Sequence, residues 1–250
     1  MKRSTLAAFL ALAGSWLVGQ EAKAFPPGVY PGIIFVANGS GDSTQVTENL
    51  CEVLSITKWP LRVDTTRWTS FGGPVRDHND VVRHRTYGMR LACKVLAAQQ
   101  ACPGAKIYLM GHSSGTHVIL AAAECLPPGS IDRIVLLAPS VSCTYDLRRA
   151  IRTAREGLDV YYSLQDGVLD LVGDSMGTAD AIRGVPAAGQ VGFRCPPPCV
   201  PDAHLYHMVR QYPWRPGVYD ATCNQGTHFG PTSYNFLRLV VLPNMVALPH

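Results

Sequence analysis

The chain has 250 residues, 47% of them hydrophobic, and a formal net charge of +4. Three of its 22 basic and one of its 18 acidic side chains lie in the first 24 residues, so the remaining 226 carry only +2. A balance so close to neutral argues against nucleic acid and an anionic membrane as partners, and the length suits one domain with a substantial core.

The prefix MKRSTLAAFLALAGSWLVGQEAKA has the three regions of a secretory signal peptide. Lys2 and Arg3 form a basic start, Leu6 to Val18 an apolar core, and Ala22-Lys23-Ala24 a small-residue cleavage site, which predicts cleavage before Phe25. The apolar core is too short to span a bilayer, and no later stretch approaches the roughly eighteen uncharged residues that would. Residues 25–250 are therefore expected to form a single soluble domain, secreted or periplasmic, without a stable membrane anchor. All eight cysteines fall in this part. An even count in an exported chain predicts up to four disulfides, with Cys93/Cys102 and Cys195/Cys199 close enough in sequence to pair locally. Cys195, Cys199, His204 and His207 are spaced too tightly for a zinc finger, so no metal is expected.

Strand-like and helix-like runs then alternate. Gly32–Ala37 reads as a buried strand, ended by Asn38-Gly39-Ser40-Gly41, and Asp42 or Ser43 can cap a helix to about Ile56. Leu61 to Trp68 reads as the next strand. The loop Ser70–Pro74 precedes a helix from about Asn79 to Gln100. The strand Lys106–Met110 leads into Gly111-His112-Ser113-Ser114-Gly115 and a helix to about Leu126. A strand over Arg133–Ala138, a helix over Tyr145–Glu156 and a strand over Asp159–Leu164 follow. Residues 166–183 are expected to be helical, 184–203 irregular and Leu205–Arg210 a strand. Gly226–Pro231 is a loop, and Thr232 or Ser233 can cap a last helix through Val241. The alternation predicts an α/β fold with a mostly parallel sheet, without repeats or a second domain boundary.

G-x-S-x-G occurs twice, at residues 111–115 and 173–177, and as a bare pattern it is weak. The chemistry it can mark needs a serine on a sharp strand-to-helix turn, with glycines where larger residues would crowd that turn. Ser113 has a strand before it and a helix after it. Ser175 has neither, because Asp170 falls where its buried strand should be. A serine nucleophile needs a histidine base and an acid that orients it, here in the order serine, acid, histidine. His228, in Gly226-Thr227-His228-Phe229-Gly230, lies on a loop suited to a proton shuttle. His117 is expected to pack within its helix, His204 and His207 to be structural or surface residues, and His112 to face away from the chemistry. Asp166 stands at a strand end, as a triad acid should, with Asp174 and Asp180 as alternatives and Asp146 less well placed. Backbone N–H groups of Ser114 and of Ser40, or else Gly39, are the candidates for an oxyanion hole.

These residues resemble the α/β-hydrolase superfamily, from Ile33 to about Val241. GHSSG after a strand, Asp166 after a later strand and GTHFG before the last helix carry the resemblance. It implies a three-layer sandwich, a sheet of about six strands with helices on both faces, that lacks the family's first strands and any cap domain. The stretch from Ala138 to Asp159 has room for one helix only. The implied activity is carboxylic-ester hydrolysis without cofactor on a small-molecule or polymeric ester. Phe71, Tyr145 and Phe229 would wall an open substrate site. Thioesterase, lipase or peptidase activity, or a non-catalytic binding protein on the same fold, are the alternatives.

Overall fold

Runs such as Ile33-Ile34-Phe35-Val36 are apolar at every position, which suits strands covered on both faces. The computed structural model describes residues 31–41, 43–70 and 72–246. The expected signal peptide, the Asp42 cap and Phe71 lie outside them. Six strands, β1 (Gly32–Ala37), β2 (Leu61–Thr65), β3 (Lys106–His112), β4 (Arg133–Leu137), β5 (Leu158–Tyr162) and β6 (Val209–Pro213), form one sheet in the order β2-β1-β3-β4-β5-β6. Every pairing is parallel.

Alternate side chains of β1 go to opposite faces. Ile33 and Phe35 join Val118, Leu120 and Val95 in one core, while Ile34 and Val36 join Leu50, Val53, Phe236 and Leu237 in the other. The first face is covered by α3 (Val81–Ala101) and α4 (Gly115–Glu124), the second by α1 (Gln45–Thr57) and a terminal helical segment, Tyr234–Val246. That segment turns π-helical over Leu237–Val241. A one-turn α2 (Pro74–Asn79) precedes α3, and α5 (Arg148–Ile151), α6 (Gly167–Met176) and α7 (Ala188–Val191) fill the later crossovers. The result is the expected three-layer sandwich.

Four expectations need correction. The helix expected over residues 166–183 ends at Met176, where Gly177 takes a φ of 82° and turns the chain out of it. The last strand is Val209–Pro213, because Asp159 faces Arg210 in register and takes its guanidinium at 2.7 Å, while Ala203–Met208 is a 3-10 helix. The expected helix over Tyr145–Glu156 shrinks to Arg148–Ile151, since Ala154 bridges back to Ile131 in extended backbone. All eight cysteines are free thiols. Cys93 and Cys102 cannot pair locally because α3 runs between them. Nine helical steps separate their Cα atoms by about 13 Å, roughly twice a disulfide's span. Among the described residues no cluster of histidine, cysteine and acidic side chains is placed to hold a metal ion, and no helix is long and apolar enough to cross a membrane.

Candidate active site

The strand order reverses at β1, and an open α/β sheet leaves a crevice at such a point beyond its carboxyl ends. Ala37 is opposite Gly111, so the Asn38–Gly41 loop and the GHSSG turn leave the sheet side by side. Ser113 sits in that turn with φ of 52°, a left-handed conformation that costs a residue with a side chain about 1–2 kcal/mol. Its N–H donates to the Leu137 carbonyl at 3.1 Å, which ties the turn to β4. The flanking glycines allow the close packing. A Cβ on Gly115 would lie 2.3 Å from the carbonyl oxygens of Ala37 and Asn38, and one on Gly111 2.8 Å from Thr116 Cα. The second motif lies at the end of α6, where the Ser175 hydroxyl donates to the Leu171 carbonyl one turn earlier.

Asp166 follows β5 and serves two partners. Its Oδ1 accepts the Leu169 N–H at 3.0 Å and caps α6, while Oδ2 accepts Nδ1–H of His228 at 2.7 Å. Both residues are buried. The carboxylate holds the imidazole proton on Nδ1 and leaves Nε2 free to act as a base. Asp174 is exposed, and Asp180 is committed to the N–H and hydroxyl of Ser142, both at 2.8 Å. Asp146 holds Arg148.

The His228 loop is wound around Asn224. Its Oδ1 accepts the Gly226 N–H at 2.9 Å and would lie 2.0 Å from a Cβ on Gly230. Gly226 itself has φ of 76°. His112 does not face away from the chemistry. Its Nε2–H donates to the His228 carbonyl at 3.1 Å, and the two rings lie 4.9 Å apart. Burial pushes the His112 pKa down to about 3, which keeps the ring neutral. His117 packs as expected, against His84 and the Ala179 carbonyl, both at 3.0 Å.

Ser113 Oγ pairs with Ser140 Oγ at 3.1 Å rather than with His228. The N–H groups of Ser114, Gly39 and Ser40 meet no acceptor among the described residues. Phe229 stands at the lip, 45% exposed and edge-on to His228. Tyr145 is not brought to the mouth. Its hydroxyl donates to Glu124 at 2.8 Å, at the far end of α4 from Ser113. His204 and His207 stay with the 3-10 helix before β6. Ser140, Asn224, Asp77 and His78 also belong to this region, and no local sequence pattern marks them.

No family model matches the chain, and no curated protein matches it. Among solved structures, an uncharacterized protein from Bacillus cereus is similar at a TM-score of 0.52 and 12% identity, covering 96% of this chain and 68% of that one. LpqC, a poly(3-hydroxybutyrate) depolymerase from Bordetella parapertussis, is similar at a TM-score of 0.50 and 14% identity, covering 89% and 84%. At such identities the likeness is one of fold alone, a parallel sheet between two layers of helices.

Proposed function

We propose that this chain is an exported serine hydrolase acting on carboxylic esters. The observation that carries the reading is the buried His228–Asp166 pair, tied through His112 to the turn that strains Ser113. In the proposed reaction Ser113 Oγ attacks the acyl carbon as its proton moves to His228 Nε2. The N–H groups of Ser114 and Ser40, or Gly39, stabilise the tetrahedral oxyanion, supported by the N-terminus of α4. The C–O bond to the alcohol then breaks, and His228 returns its proton to the leaving oxygen. Water repeats the sequence on the acyl-enzyme and releases the acid. For Ser113 to reach His228 its hydroxyl must turn away from Ser140, a rotation common when free sites take substrate. Export rests on residues 1–24, and an N-terminus beginning at Phe25 in the periplasm or medium would test it.

The activity is tested by labelling the purified protein with a fluorophosphonate. Wild type and Ser175→Ala are expected to label and Ser113→Ala is not. Equal labelling of wild type and Ser113→Ala would end the mechanism. A panel of p-nitrophenyl esters, a thioester and poly(3-hydroxybutyrate) then sorts the substrate class.

A further inference from the structure

Helix α2 carries two adjacent buried polar residues, Asp77 and His78, that the triad does not use. Asp77 Oδ2 accepts the Gly41 N–H at 3.1 Å, and Oδ1 accepts the N–H and hydroxyl of Ser70 at 2.7 and 2.6 Å. One carboxylate thus ties the end of the Asn38–Gly41 loop to the segment before α2. His78 Nε2–H donates to the Gly177 carbonyl at 3.0 Å, which leaves Nδ1 to accept the Ser114 hydroxyl at 2.9 Å. His84 of α3 donates to the Asp77 carbonyl at 2.7 Å and fixes α2 in place. Two consecutive side chains therefore grip the residue after Ser40 and Ser114 itself, the two sources of N–H groups for the oxyanion.

We propose that Asp77 and His78 are positioning residues that set the separation and aim of the two oxyanion donors. This rests on the ester-hydrolase reading above. Neither residue touches the reacting atoms. Their effect comes through preorganisation: a donor displaced by about 1 Å forfeits a large part of a stabilisation that removal of one donor shows to be worth about 100- to 1000-fold in kcat.

The chemistry of each grip dictates the variants. Asp77→Asn replaces one acceptor oxygen by an amide donor, so one of the two backbone N–H groups loses its partner. At position 78 an asparagine oxygen falls near Nδ1 and can accept from Ser114, whereas a glutamine nitrogen falls near Nε2 and keeps only the Gly177 contact. Ser114→Ala removes the gripped hydroxyl with little change in volume and covers the event that a position-78 variant fails to fold. With p-nitrophenyl butyrate, Asp77→Asn, His78→Gln and Ser114→Ala are each expected to lower kcat about 10- to 100-fold with KM within about threefold. Inhibition by a trifluoromethyl ketone, which adds to serine as a tetrahedral oxyanion, should weaken in step, while His78→Asn recovers most of the rate lost in His78→Gln. The inference is overturned if all of these variants stay within about threefold of wild type in kcat, or if the ketone binds them as tightly as wild type. Wild type that neither labels at Ser113 nor hydrolyses any ester would instead overturn the functional reading.

Discussion

Acidification from about pH 7.5 to about pH 5 should cost this fold several kcal/mol before its ordinary carboxylates titrate. Burial pushes His112 down to about 3 and His117 down to about 4, from an ordinary value of 6.5. His78 and His84 are also lowered by burial. The unfolded chain takes up a proton at each of these sites below pH 6.5, and the folded chain refuses it. Stability is therefore full above 6.5 and falls as the pH drops toward the folded values. His112 and His117, with folded values near 3 and 4, each contribute about 1.4 kcal/mol per pH unit in that window, or about 2 kcal/mol at pH 5, and so together cost about 4 kcal/mol. Asp159 acts with the opposite sign, because burial raises its carboxyl and the folded chain binds that proton more readily. Urea unfolding at a series of pH values measures the effect, with a constant m-value as the check on two-state behaviour. The double variant His112→Gln, His117→Asn keeps a donor toward the His228 and Ala179 carbonyls and should recover about 4 kcal/mol of the loss. A wild-type stability that changes by less than about 1 kcal/mol over this range, or a double variant with the wild-type slope, would refute the reasoning.

Other substitutions separate chemistry from architecture. Asp166→Asn keeps an oxygen for the α6 cap but loses the charge facing His228, so kcat should drop about 10⁴-fold with thermal stability nearly unchanged. Asp166→Ala should lose a further ~1 kcal/mol of stability with the cap, read by a thermal melt. Gly115→Ala would drive a methyl into two backbone carbonyls and should cost about 3 kcal/mol or more, or prevent folding, as soluble yield and denaturant unfolding would show. Asn224→Ala releases the loop that carries His228 and should destabilise by about 1–3 kcal/mol. Its esterase rate should fall further than that of Ser175→Ala, whose hydroxyl only back-bonds within α6.

What could be read from the chain and what could not follow from how each residue is held. Strands β1, β3, β4 and β5 have apolar faces on both sides and announce themselves as short hydrophobic runs. β6 is hidden because its polar residues are satisfied only by distant partners: Arg210 by Asp159, and Gln211 by the backbone of Phe193. Ser113 and His228 were legible through glycines, since a glycine at 111, 115 or 230 records in one letter that another group must pass within a Cβ's reach. Asp166 was legible as a strand-end acid, and the Asp-Gly that also reads as a turn is the start of α6 that Asp166 caps. His112 misleads because its position within the motif says nothing about a partner at residue 228, and Tyr145 because the acceptor of its hydroxyl, Glu124, stands 21 residues earlier at the end of a helix. Asp77, His78, Ser140 and Asn224 leave no local pattern at all. They lock loops to each other, and a lock between loops is written at two separated positions, each unremarkable alone. The groups that perform the proposed chemistry can thus be found by their backbone constraints, while those that hold it in register become visible only when the sheet topology has brought the loops together.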